Sequence, residues 1–255
     1  MIWLLTAMNC EGCKIANMMG DDMTYIVMGI GPENAACSVK KIIDSGKAGP
    51  FDKIVNVGVC GSGEDLTAGE IYFINKITDM VTGKDYYPDL SLFGTKINEG
   101  HLFTSDDIVR DPKPGELYDE EAAAIFEAGQ KFFSPDSMLF LKIISDHGTE
   151  IPTKDQVSDM VLEKKDIIRS AIEKLMARAK EQEEYSDIPD LSIELCLTQA
   201  MKNDMNNLLR YAKAAGKLDL VEDYISGLKE TGELPAKSKR EGAVYAKRIK
   251  DMLTE

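Results

Sequence analysis

The sequence has little positive charge. Among its 255 residues, 30 lysines and arginines stand against 44 aspartates and glutamates, which gives a net charge of −14 at pH 7. Proteins that bind a nucleic-acid backbone or an anionic membrane need a positive field. We therefore expect no nucleic-acid partner and no membrane partner, whereas a small ligand remains possible.

Long apolar runs are also absent. No run approaches the roughly 20 residues that span a bilayer. The opening segment Met1–Leu5 is apolar but short, and it lacks a basic flank and a small-residue cleavage site. It therefore predicts a first strand rather than a signal peptide.

Cysteines are few and scattered. The five cysteines are odd in number, which favours reduced thiols and a cytoplasmic location. Cys10 and Cys13 form a CxxC pair, but one such pair without a second Cys/His pair is a weak zinc signal. A redox role stays open beside two ordinary thiols. We expect no metal and no cofactor.

The first part of the chain alternates short apolar runs with glycine turns and helical patterns, which favours a largely parallel sheet covered by helices on both faces. A helix is expected at Pro32–Ser45. The expected strands are Ile2–Ala7, Thr24–Met28, Lys53–Val57, Glu70–Ile77 and Met138–Ile144.

The pattern becomes almost entirely helical after Pro152. Helices are expected at Lys154–Glu181, Leu191–Ala215, Leu218–Leu228 and Glu241–Leu253, with a charged break at Glu181–Asp190. We predict an α/β domain at residues 1–182 and a helical C-terminal extension at residues 183–255.

Several reactive groups follow the expected strands, where parallel sheets bind ligands. Glu11 follows the first strand, the glycine-rich segment Gly58–Gly63 follows the third, and Asp146 follows the last. Asp119, Glu120 and Glu121 precede an alanine-rich helix, and Asp119 is a plausible N-cap. Each group also has a structural explanation, as a surface acid, a tight backbone connection, a turn cap or a partner of the helix dipole.

Together these segments resemble the methylthioadenosine/S-adenosylhomocysteine nucleosidases, which belong to the nucleoside phosphorylase and nucleosidase superfamily. The matching segments are Gly29–Ala36 ("GIGKVNAA" in the family), Ile54–Gly61 ("IINTGxAG"), Leu66–Ile71 ("LKVGDI"), Asp119–Ile125 ("DMEAAAI") and Ile144–Asp146 ("ISD"). They occur in family order. The resemblance implies a three-layer α/β/α sandwich around a mixed, largely parallel sheet.

The resemblance also implies hydrolysis of the bond between a base and a ribose. Asp146 takes the position of the general acid that protonates the departing purine. Glu121 takes that of the carboxylate that binds the ribose hydroxyls and favours an oxocarbenium-like sugar. Glu11 takes that of the base that activates water.

Other positions are expected to contact substrate by the same resemblance. Lys142 stands where the family usually has an arginine near the water, and Ile108 replaces a usual aromatic residue. The remaining expected contacts are Gly58, Val59, Cys60, Gly61, Val109, Glu120 and Ser145.

The nucleophile could be water or phosphate. Phosphorylases of the superfamily bring arginines to the phosphate, whereas the corresponding element here is Asn56–Val59 and no arginine precedes Arg110. Water is therefore favoured, although Ser145-Asp146-His147 has the "SDH" form of the phosphorylases.

The chain also departs from the family pattern. Glu120 replaces a methionine that packs on the ribose, Val59 replaces a serine that helps to hold the water, and Glu11–Tyr25 is shortened. The alternatives are therefore a phosphorylase and a non-catalytic nucleoside-binding protein with a helical partner-binding extension. By resemblance, we expect a purine nucleoside as ligand and a homo-oligomer, either a dimer or a hexamer.

Overall fold

The computed structural model describes residues 1–20, 23–148, 151–184 and 188–254. The chain divides into two compact units, Met1–Lys180 and Glu181–Glu255.

The first unit combines strands and helices. Its described strands are β1 (Ile2–Thr6), β2 (Met23–Val27), β3 (Lys53–Ser62), β4 (Ile71–Asp79), β5 (Asp85–Tyr86), β6 (Glu99–Thr104), β7 (Leu117–Asp119) and β8 (Met138–Asp146). Its described helices are α1 (Cys13–Met19), α2 (Pro32–Asp44), α3 (Ala122–Gly129), α4 (Lys154–Glu163) and α5 (Lys165–Glu184), the last of which ends within the second unit.

The eight strands form one mixed sheet. Its order is β2-β1-β3-β7-β6-β4-β5, and β8 pairs with both β3 and β4. The β3–β7, β4–β5 and β4–β8 pairings are antiparallel and the others are parallel. Because β8 joins β3 to β4, strands β3, β7, β6, β4 and β8 close a barrel-like ring. The α/β class is confirmed, whereas the three-layer sandwich stays a prediction because this part of the sheet is closed.

Helices pack against both faces of the sheet, as its alternating side chains require. Trp3 and Leu5 of β1 join a buried cluster with α2 and α3. The intervening residues Ile2 and Leu4 join a second cluster with α1, α4 and α5. Burial of apolar surface in these two clusters is the main stabilising contribution to the unit.

The expected strands all form, with ends shifted by a few residues. Strands β5, β6 and β7 were missed because they are short or irregular in pattern. In β6, Gly100 interrupts the apolar alternation, and a Cβ there would lie 2.6 Å from Leu117 Cδ1, so that a larger residue would force the Leu117 side chain to shift. This side-chain contact is not visible in the sequence.

The second unit contains α6 (Gln199–Ala214), α7 (Leu218–Glu230) and α8 (Lys239–Thr254). These helices pack around their own buried cluster, which includes Leu209, Val221 and Ile249. Gly242 of α8 lies in close contact with the backbone of Leu195, which leaves no room for a side chain.

Two predicted helices were wrong in extent. The segment from Leu191 to Leu197 forms turns rather than the start of a helix, because Cys196 adopts a left-handed backbone with φ 51°. Helix α6 begins only after Thr198, whose hydroxyl accepts the Met201 N–H. The pattern at Lys154–Glu181 forms two helices, α4 and α5, which meet at Lys164.

Helix α5 continues to Glu184, into the charged segment Glu181–Asp190 that was expected to break the helix. Residues 185–187 of that segment lie outside the described residues. Within the described part of the chain, no helix combines the length and the apolar character that crossing a membrane requires.

Candidate active site

A cavity of about 320 Å³ opens at the carboxyl ends of several strands of the first unit. The C-terminal part of β3 and segments that follow β1, β2, β6, β7 and β8 contribute to its wall, as expected for a site in a largely parallel sheet. Six carboxylates line it: Glu11, Asp107, Asp119, Glu120, Glu121 and Asp146. The three acids predicted to be catalytic therefore face one space.

Glu11 is held in a single turn directly after β1. The segment Asn9–Glu11 folds back as a short 3-10 helix, and the Met8 N–H donates to Glu11 Oε2 over 2.7 Å. The Val59 N–H of β3 donates to Glu11 Oε1 over 3.1 Å. The side chain is 2% exposed. Burial raises the pKa of Glu11 even though these N–H groups and Lys142 favour its charged form.

Glu121 stands at the start of α3 as its N-cap residue. Its Oε1 accepts the backbone N–H of Gly31 from the loop after β2, over 2.9 Å. Burial, reinforced by the negative charge of Asp119, raises the pKa of Glu121 to about 7. A carboxyl group in this state can change its charge near neutral pH.

Asp146 is the last residue of β8 and is half-buried. The Ser145 hydroxyl donates to Asp146 Oδ2 over 2.7 Å, and the Gly148 N–H donates to Oδ1 over 2.8 Å. These bonds fix the orientation of the carboxyl group at the cavity wall.

A buried ion pair joins Asp119, which lines the cavity, to Lys142 behind the wall. Lys142 Nζ is 2.8 Å from Asp119 Oδ2, and the two side chains are 2% and 1% exposed. Burial opposes the charge of Lys142, but Asp119, Glu121 and Glu11 outweigh it and raise the pKa of the ammonium group. Lys142 is therefore a cation in the folded protein.

Most of the other predicted contact residues also line the cavity: Val59, Cys60, Gly61, Ile108, Val109, Glu120 and Ser145. Gly58 and Lys142 were predicted to contact substrate, but they lie behind the wall. They are opposite each other in the β3–β8 register. A Cβ on Gly58 would lie 2.9 Å from Glu11 Oε1 and 3.5 Å from Lys142 Nζ.

Asp119 has a different position from the N-cap expected for it. It ends β7, and its Oδ2 accepts the Ala122 N–H over 2.9 Å while Glu121 takes the N-cap position. Sequence reasoning missed its pairing with Lys142, because a short strand must first bring the two residues together. Besides Asp119, nine further cavity residues were not among the predicted contacts, namely Ala7, Met8, Ile30, Asp107, Tyr118, Ile151, Pro152, Lys154 and Val157.

The CxxC pair lies beside the site as two free thiols. Burial and the charge of Glu11 raise the pKa of Cys10, which is opposite to the lowered thiol pKa that a redox role requires. Among the described residues, no group of three or more His, Cys, Asp or Glu side chains is placed to hold a metal ion.

The charge of the cavity disfavours anions. Lys154 is the positively charged side chain among the described lining residues, whereas six of those residues are acidic. A phosphate ion needs several converging donors, preferably arginines. The wall is suited instead to hydroxyl groups, a developing positive charge and proton transfer.

No family model and no curated protein matches the chain. Solved structures do. A variant of the methylthioadenosine nucleosidase of Helicobacter pylori, with 5'-methylthioadenosine in its active site, is 16% identical with a TM-score of 0.56, over 68% of this chain and 98% of its own. The Colwellia psychrerythraea methylthioadenosine/S-adenosylhomocysteine nucleosidase, in complex with adenine, is 16% identical with a TM-score of 0.55, over 68% and 95%.

Futalosine hydrolase of Helicobacter pylori is also similar, at 16% identity and a TM-score of 0.54, over 68% of this chain and 97% of its own. The chain therefore has the fold of these nucleosidases and of futalosine hydrolase, as the resemblance of its sequence motifs predicted.

Proposed function

We propose that the chain hydrolyses the N-ribosidic bond of a purine nucleoside or of a 5'-thioadenosine-type nucleoside and releases the free base. The observation that carries this proposal is that Glu11, Glu121 and Asp146 line one cavity although they are far apart in the sequence. A surface acid, a helix-dipole partner and a turn cap would have no reason to converge.

The chemistry needs the three acids in different roles. As the bond breaks, the ribose becomes positive and the purine negative. Asp146 donates a proton to the base, which leaves as a neutral molecule. Glu121 binds the ribose hydroxyls and stabilises the oxocarbenium-like sugar. Glu11 accepts a proton from the attacking water, and the remaining hydroxyl group bonds to the ribose carbon from which the base has left.

Water is the proposed nucleophile because the described lining residues bring together no set of cationic donors for a phosphate ion. Lys154 shares the lining with six acidic residues, and Lys142 is paired with Asp119. The same charges oppose substrates with a phosphate group. We therefore infer a nucleoside rather than a nucleotide as substrate.

The substrate class follows the fold relatives. One is a nucleosidase solved with 5'-methylthioadenosine and another is a nucleosidase solved with adenine. In this chain, Ile30, Ile108 and Ile151 line the cavity and are largely exposed. These side chains can pack against a purine ring or an apolar 5' substituent once ligand is bound.

A base-release assay tests the proposal. Purine nucleosides, 5'-thioadenosine compounds and a nucleoside monophosphate are incubated with the protein, with and without phosphate. Release of base from a nucleoside without phosphate supports hydrolysis. Release only with phosphate identifies a phosphorylase, and tight binding without release identifies a nucleoside-binding protein.

Asp146→Asn is the decisive variant. Loss of a general acid is expected to lower the turnover number by about 10²- to 10⁴-fold. Asp44→Asn, at an exposed position at the end of α2, is the matched control and should retain full turnover. Unchanged turnover in Asp146→Asn would contradict the proposed role of Asp146 as general acid.

A further inference from the structure

Lys142 is a fully buried cation that is not among the described residues lining the cavity, although its partner Asp119 is. Lys142 lies on β8, its side chain is 2% exposed, and Asp119 Oδ2 is 2.8 Å from its Nζ. A buried ammonium group is costly to desolvate and persists only when its surroundings compensate it. Its position suggests that it acts on the cavity from behind rather than on the substrate.

Asp119 is fixed from three directions. Its Oδ1 accepts the Thr104 hydroxyl of β6 over 2.7 Å, and its Oδ2 accepts the Ala122 N–H of α3 over 2.9 Å in addition to Lys142. The Thr104 hydroxyl oxygen in turn accepts the Ala123 N–H over 3.0 Å. Asp119 therefore ties Lys142 to the beginning of α3, the helix that carries Glu121.

Gly58 provides the space that brings Lys142 close to Glu11. Both Lys142 Nζ and Glu11 Oε1 lie within 3.5 Å of the point that a Cβ on Gly58 would occupy. A larger residue at this position would therefore crowd both groups. The ammonium group is paired with Asp119 and lies near Glu11, and its positive charge also favours the charged form of Glu121.

We propose that Lys142 is a positioning residue whose ammonium group, anchored by Asp119, is the buried counter-charge that keeps Glu11 and Glu121 available as carboxylates. Glu11 can accept a proton from water only when it is ionised, and Glu121 stabilises a positive sugar only when it is ionised. The consequence for catalysis rests on the proposed function, whereas the effect on the two glutamates is independent of it.

Other charged and titratable groups surround the pair. Glu11 faces Lys142 of β8, Cys10 in its own turn and Tyr25 of β2. Glu121 faces Asp119 of β7, Lys142 and Glu11. Burial raises the pKa of Cys60 on β3, so this thiol stays neutral. The half-buried acids Glu120 and Asp146 complete the set and add negative charge.

The test measures the titration of the two glutamates directly. Protein labelled with ¹³C at the glutamate side-chain carboxyl carbon is titrated by NMR, and Glu11→Gln and Glu121→Gln assign the two signals. In Lys142→Met, which nearly conserves volume, both midpoints should move to higher pH by about one unit or more, because the favourable charge is lost. Lys142→Arg retains the charge and should restore midpoints close to those of the wild type.

Asp119→Asn should have the opposite effect. Removal of its negative charge should lower the midpoint of Glu121 by about one unit. A structural disturbance would not produce opposite shifts in the two variants. If Lys142→Met fails to fold, Lys142→Gln, which keeps a polar group beside Asp119, is the second variant that removes the charge, and the same upward shifts are expected.

Lys53→Met is the matched control. Lys53 is also fully buried, but it begins β3 at the opposite end of the strand from the cavity and donates to the Ser137 hydroxyl over 2.9 Å. Its replacement should leave the midpoints of Glu11 and Glu121 unchanged. Unmoved midpoints in Lys142→Met, or midpoints that move to lower pH, would overturn the proposal.

If base release is observed, the acidic side of the pH profile of the turnover number should move with the titration midpoints. A shift of one unit corresponds to about a tenfold loss below the midpoint. If the wild type releases no base, the proposed function fails while the titration still decides the role of Lys142.

Discussion

At the scale of single residues, the site depends on close packing around small and charged groups. Gly58 has no side chain, and the space beside it is occupied by the Glu11 carboxylate and the Lys142 ammonium. Glu11 cannot move away freely, because the backbone N–H groups of Met8 and Val59 hold both of its oxygens. The position of Glu11 is therefore sensitive to one methyl group.

Gly58→Ala tests this packing. The new Cβ would lie 2.9 Å from Glu11 Oε1 and must displace the carboxylate from its hydrogen bonds. We expect base release to fall by about tenfold or more, since small misplacements of a catalytic group are costly. Turnover is compared with the free energy of unfolding from urea titration. Full turnover in a folded Gly58→Ala protein would contradict the prediction.

At the scale of elements, the cavity depends on helices that hold the sheet from both sides. Helix α5 buries Ile168, Ile172 and Leu175 in the cluster that contains Ile2 and Leu4 of β1. The opposite side of α5 is polar and solvent-exposed, as the helical spacing of its apolar residues predicts. The packing of α5 is thus determined by one apolar stripe.

Ile172→Ala tests whether this apolar stripe is the packed side of α5. Ile172 is fully buried, and its truncation should lower the free energy of unfolding of the first unit by about 2–5 kcal/mol. The same change at Ile167, which is 44% exposed on the same helix, should cost about 1 kcal/mol or less. Urea unfolding of the two variants makes the comparison, and equal losses would show that the stripe is wrongly assigned.

At the scale of the whole molecule, the chain consists of two units with separate buried clusters. The first unit contains the cavity and the fold of the nucleosidases. The described residues that line the cavity belong to the first unit, and the second unit corresponds closely to the extension proposed from the sequence at residues 183–255. Trp3 is the only tryptophan and is buried in the first unit, where its indole N–H donates to Asp52. Its fluorescence therefore reports on that unit alone.

The stability of the first unit should depend on pH through Glu121. Its pKa is raised to about 7 by burial and by Asp119, so the folded state binds more protons than the unfolded state between about pH 4.5 and 7. The contribution of this proton binding to the free energy of unfolding is fully present below the unfolded pKa and is lost as the pH rises through the folded pKa. The expected loss is about 3 kcal/mol.

Glu121→Gln removes this titration. The difference in free energy of unfolding between the variant and the wild type should therefore change in favour of the variant as the pH rises from 5 to 8. Urea unfolding followed by Trp3 fluorescence measures the difference. A difference that is independent of pH would be inconsistent with the shifted carboxyl group.

The sequence by itself determined the α/β class, the main strands, the helical character of the C-terminal part and the positions of several reactive groups after strands. These features are local: alternation, helical spacing and residues that follow strands are readable in short segments. The convergence of Glu11, Glu121 and Asp146 could be expected only through the order of motifs that resemble the nucleosidases.

Only the tertiary structure decided that the sheet closes into a ring, that β5, β6 and β7 exist, and that Gly58 and Lys142 lie behind the cavity wall. It also decided the partnership of Lys142 with Asp119. Burial and pairing of charges arise where β3, β7 and β8 meet, and the distances among these residues are set by long-range pairing. No short segment contains that information, because the position and register of each strand depend on the strands with which it pairs.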